Sequence, residues 1–190
     1  MTRNTNAKGE ATKQRIVAAA ADLIHRHGFN ATGMNQIIKN SGAPKGSLYF
    51  HFPEGKEQII EAALRASGEQ VSLLLQQAFG QGEDLQQALD QCISYFKSEL
   101  IATGFSKGCP VATVALETAG DIDRMQAVCE EIYGSWLSIL KQGLGDAKAE
   151  QAEIILMLIE GALVLSKANK SVEPLEKCSA HLAAILVENG

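Results

Sequence analysis

The sequence predicts an all-helical chain. Three observations lead there: apolar residues recur at helical spacing, four prolines (Pro44, Pro53, Pro110 and Pro174) leave long proline-free stretches, and glycines stand where several periodic segments stop. No alternating strand pattern, internal repeat or low-complexity segment interrupts this reading.

The first helix is expected from about Glu10 to His27. Ile16, Ala20, Leu23, Ile24 and His27 follow the i, i+4, i+7, i+8, i+11 spacing of one buried face. Gly28 suits a left-handed stop, with Phe29 folding back behind it as an apolar contact. A short second helix carries Met34, Ile37 and Ile38 inward and ends at Ser41-Gly42. Gly42-Ala43-Pro44 then turns the chain into a third helix, Lys45 to His51, with Leu48 and Phe52 inward. Two short helices across a tight glycine-containing turn, behind a longer supporting helix, make a helix-turn-helix.

Pro53-Glu54-Gly55 breaks the pattern, and a long helix runs from Lys56 to about Phe79, where Gly80-Gln81-Gly82 stops it. Later helices are expected over Leu85 to Ala102, Pro110 to Ala119, Arg124 to Leu144, Lys148 to Ala168 and Pro174 to Val187. Pro110 and Pro174 fall in first turns, where a missing N–H costs nothing.

Bulk properties narrow the function classes. At 190 residues, 46% hydrophobic and 21% charged, the chain is globular and not disordered. Met1 to Glu10 lacks the apolar core of a signal peptide. The most apolar run, Ile154 to Leu165, is interrupted by Glu160 and is too short to span a bilayer. Cys92, Cys109, Cys129 and Cys178 show no CxxC spacing, so neither a zinc site nor a disulfide framework is expected, and a reducing cytoplasm is. His25 and His27 read as a surface residue and a helix-end packing residue, with no cluster that would make them ligands. No nucleophile–base set or phosphate loop is visible, so an enzyme is not expected, nor a cofactor.

The net charge of −5 conceals a division. Residues 1–56 carry eight Lys/Arg against three acids, a balance of +5, while the remainder carries nine against nineteen. A basic head on an acidic body concentrates phosphate attraction at one end.

The segment Gly28 to Lys56, GFNATGMNQIIKNSGAPKGSLYFHFPEGK, closely resembles the DNA-binding domain of the TetR family of bacterial regulators. The matching residues are Gly28-Phe29, Thr32, Ile37, Gly42, Lys45-Gly46-Ser47-Leu48-Tyr49, His51-Phe52 and Lys56, in order and near the family's spacing. Their chemistry is consistent with the match. Gly46 allows close backbone approach to a groove, Lys45 and Ser47 can face base edges and phosphates, and Tyr49 and His51 offer hydrogen-bonding tips on apolar bodies. Lys56 opens the fourth helix, where its charge and nearby N–H groups can hold a phosphate. The resemblance further implies that Thr32, Asn35 and Gln36 lie near the DNA backbone.

Three features depart from the common form. Pro44 stands where many relatives place a hydroxyl cap, Gly33 replaces a frequent hydroxyl residue, and the Pro53-Glu54-Gly55-Lys56 linker is one residue longer. That linker, with Gly108-Cys109-Pro110-Val111-Ala112 and Leu116-Glu117, is similar to the LmrA/YxaF-like branch, whose members regulate multidrug efflux or aromatic-compound genes.

The resemblance implies a three-helix DNA-binding head, residues 1–56, and a helical body, 57–190, that binds a small apolar or aromatic effector and forms a homodimer. The implied partner is palindromic operator DNA, and the implied action is repression. Phe96, Phe105, Cys109, Val114, Met125, Trp136 and Met157 are candidates to line the effector pocket. The helix near 148–168 is apolar over most of its circumference, more than one small body can bury. Ile155, Leu158, Ile159 and Leu163, with Leu182, Ile185 and Leu186 from the last helix, are therefore the dimer-interface candidates. An alternative input is thiol chemistry at Cys109, which precedes Pro110 at a helix N-terminus; against it stands the packing role of most free cysteines.

Overall fold

The computed structural model describes residues 3–80 and 84–188, with side chains described for 7–80 and 84–184. Among the described residues the regular elements are all helical: α1 Arg3–His27, α2 Met34–Ser41, α3 Lys45–His51, α4 Lys56–Phe79, α5 Leu85–Ala102, α6 Pro110–Thr118, α7 Asp123–Leu144, α8 Gln151–Asn169 and α9 Glu173–Glu188. A single 3-10 turn, Asp146–Lys148, precedes α8, which therefore starts later than the expected Lys148. In contrast, α1 starts well before Glu10, because the polar residues ahead of it carry no apolar stripe for periodicity to detect.

Contacts divide the chain into two compact units. The first comprises Met1–Gly68 and Pro110–Glu130, the second Glu69–Cys109 and Glu131–Gly190. The division falls inside α4 and α7 and places α6 with the helix-turn-helix, so the compact units are cut differently from 1–56 and 57–190.

In the first unit α1 packs against α2, α3 and α6. Its core comprises Ile16, Ala20, Leu23 and Ile24 of α1, Ile37 of α2, Leu48 and Phe52 around α3, Ile59, Ile60 and Leu64 of α4, and Val111 and Val114 of α6. His27, expected on the buried stripe, is exposed. Each fully buried Leu or Ile is worth about 1.5–3 kcal/mol, whereas an exposed ion pair such as Arg26–Asp22 is worth about 0–1 kcal/mol, so packing sets this fold.

The second unit is built on α8, which packs against α9 and α5. Leu89, Cys92, Trp136, Leu140, Ile155, Ile159, Leu163, Leu175 and Leu182 form its core. Among the described residues no helix is long and apolar enough to cross a membrane, and no group of His, Cys, Asp and Glu could hold a metal ion.

Candidate DNA-binding site

The head's geometry begins at the turn between α2 and α3. Gly42 adopts φ 61°, the left-handed conformation that ends α2. Ser41 Oγ then accepts the N–H of Ala43 at 3.2 Å. Pro44 precedes α3 without a side-chain cap, and its carbonyl instead accepts the N–H of Ser47 at 2.9 Å. The lost hydroxyl cap is thus replaced by a backbone turn.

Only Leu48 of α3 is fully buried, and Phe52 closes the helix from behind. That anchoring leaves Lys45, Gly46 and Tyr49 exposed and Ser47 and His51 half-buried. Phe50, absent from the sequence expectations, is 81% exposed and stacks edge-on against His51 at 5.2 Å. Its apolar ring at an outward position was the signal available.

Residues at the mouth of α2 divide. Asn35 and Gln36 are exposed, and Gln36 Oε1 accepts the Gly33 N–H at 2.9 Å, so this side chain already caps the helix. Thr32, expected at the DNA backbone, is fully buried and donates its hydroxyl to the Gly28 carbonyl at 2.7 Å. With the hydroxyl consumed in closing that loop, Thr32 serves the fold, and this expectation is corrected.

Lys56 opens α4 with its ammonium over the Phe29 ring, 4.2 Å from the centroid. Burial holds its pKa below the ordinary lysine value, and the negative charge of Glu117 offsets part of that. The longer linker has a structural use. Its Glu54 pairs with Arg124 of α7, which also bonds Glu61 at 2.8 Å, locking the start of α4. Burial pulls the Glu61 carboxyl upward, but Arg124 and Arg65 outweigh it and hold the group below its usual range.

The body candidates also separate. Val114 and Met125 are fully buried in the first unit, with the helix-turn-helix, whereas the other pocket candidates belong to the second unit. In the second unit Trp136 is buried, Phe96 and Phe105 are half-buried, and Met157 is 65% exposed on α8. Trp136 meets Tyr133 edge-on at 5.3 Å, and Tyr133 donates to Glu160 Oε1 at 3.3 Å. Cys109 is a half-buried thiol that acts on both Tyr133 and Glu160. Burial pushes the Glu160 carboxyl up, and its Oε2 is buried without a partner. Tyr133 and Glu160 were missed, although Glu160 interrupts the most apolar run of the chain.

Of the interface candidates, Ile155, Ile159, Leu163 and Leu182 are buried in the chain's own core and Leu158 is half-buried. The side chains of Ile185 and Leu186 lie outside the described residues. Exposed apolar residues on α8 are instead Ile154, Met157, Val164 and Leu165. The helix carries more apolar surface than its own core uses, and its buried side is taken by α9 and α5.

Two family models match the chain. Residues 16–63 fit the bacterial regulatory proteins of the tetR family, and residues 86–181 fit the C-terminal domain of LmrA/YxaF-like transcriptional regulators. The chain belongs to the TetR family. It is 34% identical over 185 residues to the HTH-type transcriptional regulator YxaF of Bacillus subtilis (strain 168), covering 94% of this chain and 97% of that one. It is 31% identical over 181 residues to the regulator LmrA of the same organism, covering 92% and 96%. Among solved structures, a TetR regulatory protein from Rhodobacter sphaeroides superposes with a TM-score of 0.80 at 22% identity, covering 88% of this chain and 95% of that one. As a TetR-family member the chain is a transcriptional regulator that binds DNA through its helix-turn-helix, and its relatives are regulators, not enzymes. Homodimers and bound ligands are typical of this family.

Proposed function

We propose that this regulator is a repressor whose dimer reads a palindromic operator with two copies of α3 and is released by a small apolar or aromatic effector. The observation that carries the reading is the exposure of Lys45, Gly46 and Tyr49 on a helix whose one fully buried residue is Leu48. Lys45 and Ser47 then meet base edges and phosphates, and Phe50 offers an apolar ring to a thymine methyl. Asn35 and Gln36, exposed at the start of α2, and Lys56 at the start of α4 are the proposed contacts to the DNA backbone. Lys56→Ala should weaken binding to all DNA sequences and lower the salt slope by about 0.9 per lost phosphate contact. Titrating the variant across salt concentrations checks this; an unchanged slope with altered sequence preference removes Lys56 from the backbone contacts.

Tyr49→Phe removes only a hydroxyl from an exposed position. Operator affinity should fall by about 1 kcal/mol with the melting temperature unchanged. A matching loss of thermal stability marks the hydroxyl as a structural group.

In the body, the buried Trp136 beside Tyr133, with half-buried Phe96 and Phe105, supports an aromatic effector site. An effector that favours a head spacing other than about one turn of DNA, roughly 34–36 Å, shifts the population off the operator. Dimerisation is assigned to the exposed α8 face of Ile154, Met157, Val164 and Leu165.

A second reading takes Cys109 as the input. Cys92, Cys129 and Cys178 are buried, while Cys109 is half-exposed beside Tyr133 and Glu160. Oxidant that releases DNA from wild type but not from Cys109→Ser supports it, and equal release from both removes it.

A further inference from the structure

The Leu116-Glu117 pair stands out in the sequence, and nothing in the DNA reading above uses it. Glu117 is the only charged residue of α6, whose buried side is otherwise Pro110, Val111, Val114 and Thr118. Its Oε2 accepts the backbone N–H of Asn30 at 2.9 Å, in the loop joining α1 to α2. The carboxylate also lies against Gly28, where a Cβ would stand 2.1 Å from Oε1. Only a residue without a side chain leaves room for it there. The same negative charge acts on Lys56, whose ammonium rests on the Phe29 ring. Gly28, Phe29, Asn30 and Lys56 thus form one cluster around a carboxylate supplied by α6.

We propose that Glu117 is a positioning residue for DNA binding, holding the α1–α2 loop in place and offsetting the charge that Lys56 presents to a DNA phosphate. The inference rests on the reading of Lys56 as a phosphate contact. Carboxylate and phosphate are both oxyanions, and a backbone N–H and an ammonium suit either. With DNA absent, Glu117 answers the Asn30 donor and part of the Lys56 charge. With DNA bound, it offsets the Lys56 charge that attracts the phosphate, so it lowers affinity while keeping the loop in the shape that DNA requires.

Glu117→Gln separates the two roles, because the amide oxygen still accepts from Asn30 while the charge is gone. Binding of the full chain to a mixed-sequence duplex is followed by fluorescence anisotropy over a salt series, for wild type, Glu117→Gln, Lys56→Ala and the double variant. Glu117→Gln should bind about 2- to 5-fold more tightly at low salt, the scale of one part-screened charge interaction. Its salt dependence should steepen by less than one phosphate contact, about 0.9 in slope. In the Lys56→Ala background the gain should disappear. Glu117→Ala gives a second variant: it should melt at a lower temperature, having lost the loop anchor, and still show the steeper salt dependence. Wild-type affinity and slope in Glu117→Gln overturn the proposal, as does an equal gain without Lys56, which would mean a general charge effect. If Lys56→Ala itself leaves the slope unchanged, the phosphate reading of Lys56 fails first and the proposal falls with it.

Discussion

Arginine at both Met157 and Val164 should yield a monomer that no longer holds operator DNA. These residues are 65% and 57% exposed, and with Ile154 and Leu165 they recur along α8 at i, i+3, i+10 and i+11, on one face. Under the proposed assignment of dimerisation to this face, a two-fold interface brings the same residues of both copies together. Each arginine would be stranded there without a counter-charge, at about 3–5 kcal/mol, and symmetry doubles the number of charges. Operator affinity should fall by about 100-fold or more, because the second head no longer acts at high effective concentration. Helix content should be unchanged, since both side chains face outward in the single chain. Sedimentation and circular dichroism check the two halves of this statement. A folded double variant that remains a dimer places the interface elsewhere.

Gly28→Ala should damage the head although it removes no packed side chain. Gly28 sits at φ 76°, which costs a residue with a Cβ about 1–2 kcal/mol. The added methyl also displaces the Glu117 carboxylate, and losing its bond to Asn30 costs about 1 kcal/mol more. The sum, about 2–3 kcal/mol, corresponds to a melting temperature lower by roughly 5–10 °C in a chain of this size. Adding Glu117→Ala should cost Gly28→Ala little further, since the bond is already broken, whereas in wild type the same change costs the full bond. Thermal melts of the four proteins test this; strict additivity would show that the two residues do not meet.

The head was readable because its signals are local. Gly42 and Pro44 punctuate the turn, Leu48 and Phe52 show which way α3 faces, and the bounds of α3 follow. Thr32 was misread because a hydroxyl that serves DNA and one that closes a loop onto Gly28 look alike in sequence. Val114 and Met125 were assigned to the body by their place in the chain, but the chain returns to the first unit at Pro110, a tertiary event without local signature. On α8 the difficulty was of another kind. A helix apolar nearly all round tells nothing about which side its own core claims, and α9 and α5 took Ile155, Ile159 and Leu163. Glu160 was visible as an interruption, yet its partners Tyr133 and Cys109 come from distant segments.

Sequencing the fragments that the purified dimer retains from random double-stranded DNA tests most directly whether two copies of α3 read an operator. The expected result is an inverted repeat whose half-sites are centred about one turn of DNA apart, roughly 34–36 Å, enriched by wild type and lost when Lys45 and Tyr49 are both alanine. Retained fragments with no shared sequence, or a single unrepeated site bound equally well by the alanine variant, would contradict it.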